Sequence, residues 1–199
     1  MLRIAGPAFI LAATWWLWFE FVPIYRLPGI TAPREPQQVL LQPHRPAINI
    51  RGWQVRPLAV YRIDARVLSK KSYEGDPAGD LLPYDLAVGW GRMSDTAVIR
   101  KLDIGQSFRF YHWSYRGEPP IPRDEIVSHS CNMHIIPASE TVQRQISALR
   151  TGSLVRLSGY LVEAVDGKDG TRLTSSLTRT DSGAGACEIM LVQSVHERD

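Results

Sequence analysis

An apolar run at the start of the chain constrains its architecture more than any other sequence feature. Residues 4–22 follow Arg3 directly and carry a single charge, Glu20. At the rise of an α-helix, a run of this length spans about 28 Å, close to the roughly 30 Å hydrocarbon core of a bilayer. The run therefore predicts an N-terminal transmembrane helix within residues 1–26, followed by a water-soluble body.

The residues around this run favour an anchor that stays attached. A cleavable signal peptide ends in small residues with an A-x-A pattern. Ala12 and Ala13 are instead followed at once by aromatic residues, and no such pattern follows Val22. We therefore expect an uncleaved signal anchor, with a cleaved signal peptide and a buried hydrophobic helix as the alternatives. Aromatic residues are typical of the membrane–water interface, and the end of the run is rich in them: Trp15, Trp16, Trp18, Phe19, Phe21 and Tyr25.

The charges that flank the run predict its orientation. Arg3 and the α-amino group precede it, whereas the exit side has Glu20 before Arg26. Because positive charge is retained on the cytoplasmic side, the N-terminus should lie inside and the body outside. In a bacterial cell this arrangement is a single-pass inner-membrane protein with a periplasmic C-terminal domain.

The charge balance argues against a nucleic-acid partner. The chain has 23 Lys and Arg against 20 Asp and Glu, for a formal net charge of +3. The densest cationic patch is only Lys70-Lys71. Phosphate neutralisation needs clustered Lys and Arg, so we expect no nucleic acid among the partners.

Proline spacing and hydrophobic alternation divide the rest of the chain. Residues 27–52 contain five prolines, a spacing that favours extended backbone, and we interpret them as a tether. Residues 53–199 should form one β-rich domain, because residues 57–69 alternate between an apolar and a mixed face. Further strands are predicted at 84–90, 107–115, 126–136, 154–165, 171–178 and 189–195, and helices at 95–102 and 140–150.

The order of these elements gives a fold class. In residues 125–195 a strand, an amphipathic helix and a hairpin follow one another, which resembles the second half of an OB-fold barrel. We therefore predict a mainly β protein with a minor α contribution: a single β-barrel or OB-like domain with one amphipathic helix, preceded by the transmembrane helix. Such barrels bind nucleic acids, sugars or proteins, so the fold alone assigns no function.

The densest polar chemistry lies in residues 128–138. In a strand, His129 and Cys131 would share one face, and Asn132 and His134 the other. This separation and the absence of a CxxC or HExxH spacing speak against a metal site, so we assign no metal, cofactor or catalytic residue. Asn132 and His134 remain candidates for ligand binding, and Cys131 with Cys187 could form a disulfide in an oxidising compartment.

A second set of candidate ligand-binding residues is aromatic and cationic. Trp90 lies between two glycines and is followed by Arg92, and Trp113 lies in an aromatic run. Such rings can stack on a sugar or a peptide. The alternative is that they belong to the core.

Several segments together resemble an uncharacterised family of bacterial membrane-anchored proteins: Asp-Leu-Ala-Val-Gly-Trp-Gly at 85–91, Asn-Met-His-Ile-Ile-Pro-Ala at 132–138 and Ser-Ser-Leu-Thr-Arg at 175–179. The resemblance implies a periplasm-facing envelope location and no activity. Our first hypothesis is a membrane-anchored binding module for an envelope protein or glycan. The alternatives are a periplasmic hydrolase or metal-dependent enzyme that uses residues 128–138, and a scaffold subunit of a multiprotein envelope complex.

Overall fold

Strands are the predominant regular structure of the described chain. The structure is a computed structural model that describes residues 22–42, 45–73, 79–178 and 187–198. The strands are β1 Gln37–Leu40, β2 Ile48–Ile50, β3 Trp53–Ser72, β4 Tyr84–Gly89, β5 Leu102–Ser107, β6 Phe110–Tyr115, β7 Ser130–Pro137, β8 Leu154–Asp166, β9 Arg172–Thr174 and β10 Glu188–Arg198. The helices are α1 Thr96–Ile99, α2 Arg123–Ser128 and α3 Glu140–Ala148, with a 3₁₀ turn at Gly91–Ser94. The prediction of a mainly β domain is confirmed.

The predicted membrane helix lies outside this description. Of residues 4–22, only Val22 is described. Among the described residues, no helix has the length and apolar character needed to cross a membrane.

Five strands close into a ring of pairings. β3 pairs with β4, β4 with β7, β7 with β10, β10 with β8, and β8 with β3. The β7–β10 pairing is parallel, and the other four are antiparallel. β3 is long enough to serve both neighbours, β8 along residues 53–66 and β4 along residues 66–72. The ring removes most of the free edges that an open sheet would leave.

The apolar face predicted for residues 57–69 lines the inside of this ring. Tyr61, Ile63 and Val67 are buried there with apolar residues from the other four strands. α3 contributes a further apolar face of Val142, Ile146 and Leu149. The predicted helix at 140–150 is confirmed, and Ser139 caps it, since its Oγ accepts a hydrogen bond from the Val142 N–H at 3.2 Å.

An outer layer covers part of the ring, and it departs from the prediction at two places. The hairpin β5–β6 packs with α1 and α2 against the outer side of β3 and β4. Residues 107–115 are not one strand, because the chain reverses at Phe108 and Arg109. Residues 126–128 end α2 instead of beginning a strand; the acidic residues Asp124 and Glu125 in its first turn favour the helix.

Much of the segment interpreted as a tether packs on the domain, which corrects that interpretation. β1 and β2 pair with β3 along residues 59–62 and 53–55. β4 pairs with β3 only from Arg66 onward, so this edge of β3 would otherwise present unpaired backbone groups. The proline-rich composition predicts the extended backbone correctly, but the extended segment finds partners on that edge.

The residues nearest the predicted anchor also dock on the domain. The Ile24 N–H donates to the Thr151 carbonyl at 2.7 Å, and the Arg26 Nε donates to the Gly152 carbonyl at 2.9 Å. Further along, Ala32 is buried, and its carbonyl accepts a hydrogen bond from the Gly91 N–H at 2.8 Å. Residues 24–32 therefore follow the domain surface.

Candidate functional site

A buried acid–histidine pair lies on the outer side of the ring. Asp85 on β4 and His134 on β7 are direct cross-strand partners. Their neighbours Leu86 and Met133 point into the ring, so Asp85 and His134 point away from it. The His134 Nδ1 lies 2.7 Å from the Asp85 Oδ1. The register of two antiparallel strands thus forms the centre of the candidate site.

The burial of Asp85 makes this pair chemically unusual. Its side chain has 0% exposure, and that of His134 has 12%. A carboxylate is costly to bury without partners, and Asp85 has a second cation nearby, because the Arg109 Nη1 lies 3.3 Å from its Oδ1. The Arg109 guanidinium also lies 4.0 Å from the centre of the Tyr73 ring.

These surroundings shift two pKa values. Burial lowers the pKa of His134, but hydrogen bonds with Asp85 and with Cys187 outweigh burial and raise it to about 9. Burial, followed by the Asp85 charge, raises the pKa of the Tyr73 hydroxyl to about 12. At neutral pH the site therefore holds a charged imidazolium and a neutral phenol.

Cys187 joins the pair from the position that directly precedes β10. β10 runs parallel to β7 with Ile189 aligned to His134, and Cys187 precedes Ile189 by two positions, on the same face. The Cys187 side chain is half-buried and lies near enough to the His134 ring to contribute to the rise in its pKa. An acid on β4, an imidazole on β7 and a thiol just before β10 therefore lie in one row.

The β5–β6 hairpin is bonded to Asp85 and to residues around this row. The Gln106 Nε2 donates to the Asn132 Oδ1 at 2.7 Å, and the Asn132 Nδ2 donates to the Arg109 carbonyl at 3.0 Å. The Arg109 N–H donates to the Tyr73 hydroxyl oxygen at 3.1 Å, and its guanidinium donates to the Leu82 carbonyl at 3.2 Å. Arg109 is thus the residue that fastens the hairpin over the site.

The tip of the hairpin is strained and exposed. Phe108 has a φ of 49° and Arg109 a φ of 64°, so two non-glycine residues occupy the left-handed region of a two-residue turn. Such turns favour Asn-Gly or Gly-Gly, since other residues pay a steric cost there. Phe108 is nevertheless 91% exposed, and Phe110 is 49% exposed.

Two of the predicted ligand-binding residues lie in this site. Asn132 and His134 share the outer face of β7, as their spacing predicts, and both contact the polar cluster. Trp90 and Arg92 do not join them. Trp90 is 1% exposed, and its Nε1 donates to the Glu35 Oε2 at 2.9 Å. Arg92 forms an exposed ion pair with Glu125.

The remaining candidates also lie apart from one another. Trp113 is half-buried in the outer layer, where it stacks on Tyr115 at 6.2 Å between ring centres. Cys131 and Cys187, which could have formed a disulfide, are both free thiols in the structure. The physical reason is that Cys131 packs against the core inside the ring, whereas Cys187 lies beside His134 on the opposite side of β7.

Sequence reasoning missed Asp85, Arg109 and Tyr73. For Asp85 a signal existed, because a lone carboxylate in the otherwise apolar strand Tyr84–Gly89 demands a buried partner. No described group of His, Cys, Asp and Glu side chains has a geometry that could hold a metal ion. Residues 181–188 form a Gly-rich segment in the sequence, and of these only Cys187 and Glu188 are among the described residues.

Comparisons of the chain with protein-family models, curated proteins and solved structures find no match. The side chains of this site and of the hairpin beside it are therefore the features from which a function can be inferred.

Proposed function

We propose that this chain is a membrane-anchored protein of the bacterial envelope whose periplasmic barrel binds a protein partner through the tip of the β5–β6 hairpin. Residues 4–22 would anchor it in the inner membrane. The barrel would be of the OB type. In favour of that type, the ring runs β3-β4-β7-β10-β8 with one parallel pair, and α3 connects its third and fourth strands in chain order.

The observation that carries the binding proposal is the combination of strain and exposure at Phe108. A left-handed phenylalanine costs about 1–3 kcal/mol of folding free energy, and an exposed one gains nothing from burial in return. Strain of this kind is concentrated at functional sites. A partner that buries Phe108 would recover the missing hydrophobic free energy.

A protein partner suits this tip better than a glycan. Phe108 and Phe110 present apolar rings without a polar atom, and rings of this kind fill pockets at the centre of protein interfaces. Sugars are recognised by stacking combined with hydrogen bonds, and the nearby donors of Arg109 are already directed at Leu82 and Asp85.

The test compares full-length baits in detergent-solubilised envelope membranes. Proteins retained by the wild type should be lost by a Phe108→Asp variant and kept by a Val127→Asp control, since Val127 is also exposed but lies on α2. An unchanged set of retained proteins would contradict the proposal. Loss of binding to purified envelope polysaccharide alone would point to the glycan instead, and retention of one large complex by both variants would support the scaffold hypothesis.

The proposed location has its own test. Alkaline phosphatase fused to the C-terminus is active only outside the cytoplasm, so the fusion should be active and remain with the membranes after alkaline washing. Activity released into the soluble fraction would contradict the anchor, and an inactive fusion would contradict the orientation.

A further inference from the structure

The row of Asp85, His134 and Cys187 has the arrangement that an activated thiol requires. A nucleophile needs a base within hydrogen-bonding reach and a third group that orients the base. The β7–β10 register places Cys187 on the same face as His134, near its ring, and the His134 Nδ1 is held by the Asp85 carboxylate at 2.7 Å. With Nδ1 directed at Asp85, Nε2 is the ring nitrogen left to exchange a proton with the thiol.

Each member of the row has the burial that its role demands. Asp85 is inaccessible to solvent, so it can orient His134 without competition from water. His134 is largely buried, and Cys187 remains partly accessible to a reactant. Cys131 is also only partly buried, but it packs against the apolar core inside the ring and not beside an acid–imidazole pair.

We propose that Cys187 is a catalytic nucleophile that accepts acyl groups from esters, with His134 as its acid–base partner and Asp85 as the positioning residue. This activity goes beyond partner binding and does not depend on it. Cys131 lies on the other side of β7 and takes no part.

The reaction balances without a further reactant except water. The Cys187 thiolate attacks the ester carbonyl carbon and forms a carbon–sulfur bond. The carbon–oxygen bond to the leaving group then breaks, and the His134 imidazolium gives that oxygen its proton, which leaves a thioester on Cys187. Neutral His134 next takes a proton from water as the water oxygen attacks the thioester. The acid is released, and the thiolate–imidazolium pair is restored.

The experiment exposes the full-length protein in detergent to p-nitrophenyl acetate. Peptide mass spectrometry then locates the acetyl group, and p-nitrophenol absorbance gives the rate. Because the chain has only two cysteines, Cys131→Ser is a matched control for Cys187→Ser. We expect acetylation at Cys187 in the wild type and in Cys131→Ser, and none in Cys187→Ser. Equal acetylation of both cysteines would overturn the proposal.

The partners of the thiol are tested by rate and by pH profile. His134→Gln should lower the acetylation rate at least about 100-fold. Asp85→Asn should lower the acetylation rate less than His134→Gln does, and it should shift the pH at which that rate falls. A merely structural role would not produce such a shift. An unchanged rate in a folded His134→Gln variant would overturn the proposal.

A measurement on the wild type covers the case in which these variants do not fold. A thiolate paired with an imidazolium reacts with iodoacetamide at a nearly constant rate as the pH falls below neutral. The reaction rate of an ordinary thiol instead falls about tenfold per pH unit. A tenfold fall per unit at Cys187 would contradict the assignment. Because partner retention and acetylation are measured separately on the same full-length protein, the failure of partner binding and the failure of this chemistry are distinguishable.

Discussion

At the scale of the residue, Asp85 is the side chain on which the candidate site depends. A single carboxylate in an apolar strand is tolerated because the register places His134 directly opposite, and because Arg109 reaches it from the hairpin. Removing His134 or Arg109 would leave the buried Asp85 carboxylate partly unpaired. This costs more folding free energy than never having buried the charged groups. The three residues therefore have to be considered together.

The pH dependence of stability should report on His134. Its folded-state pKa is raised to about 9 from an ordinary value of about 6.5, so the protonated ring stabilises the folded state. That stabilisation is complete below about pH 6.5 and disappears as the pH rises to about 9, with an upper limit of about 3 kcal/mol. Urea unfolding of the full chain at several pH values should show the unfolding free energy fall across this window.

A His134→Gln variant is the control for that decline. Asp85 and Cys187 act on His134, and Asp85 in turn contacts Arg109 and Tyr73, whose pKa, at about 12, lies above the window. Stability should therefore depend less on pH in the variant than in the wild type. An identical slope in both proteins would assign the decline to other groups.

At the scale of the element, the hairpin turn can be tested directly. Phe108→Asn places a residue that tolerates left-handed backbone at φ 49°, and it removes no buried contact, since Phe108 is 91% exposed. The variant should gain about 1 kcal/mol in unfolding free energy while it loses the proposed partner. Phe110→Asn, at an extended position of β6, is the control and should not gain stability. A loss of stability in Phe108→Asn would mean that the turn is not strained.

The elements also differ in how well sequence reveals them. The alternation at 57–69 identifies strand β3, and the apolar spacing of four and three residues identifies helix α3. Both can be recognised because each element has one buried face. The turn at Phe108–Arg109 escapes detection because it carries neither Asn nor Gly. The face of Tyr111 and Trp113 packs on the outer layer, whereas the face of Phe110 lies towards solvent.

At the scale of the whole molecule, sequence could not bring the candidate site together. Asp85, His134 and Cys187 lie about fifty residues apart in succession, and no short motif joins them. Only the parallel register of β7 and β10, set by closure of the ring, brings Cys187 to His134. Long-range register depends on packing across the whole barrel, which local patterns do not encode.

The docking of residues 24–32 on the domain can be tested through Gly152. A Cβ at this position would lie 2.2 Å from the Ile24 carbonyl oxygen, so Gly152→Ala should displace the segment. Trypsin should then cleave after Arg26 roughly tenfold faster in the full chain, which corresponds to about 1.4 kcal/mol of local opening. Gly117→Ala is the matched control: Gly117 also has a positive φ, of 73°, but a Cβ there meets nothing within 4 Å. Equal cleavage rates in the two variants would contradict the docking.

The docked segment has a consequence for the reach of the protein. Ile24 is bonded to the barrel only two residues beyond Val22, the last residue of the proposed anchor. If residues 4–22 span the bilayer, only a very short linker separates the barrel surface from the lipid headgroups. Gly152 forms a hydrogen bond with Val67, and Val67 pairs with Val88 on β4. Asp85 lies only about 10 Å from Val88 along that strand. The thiol and the Phe108 tip would then meet only molecules that come close to the membrane plane, and their height above the bilayer would be fixed by the fold.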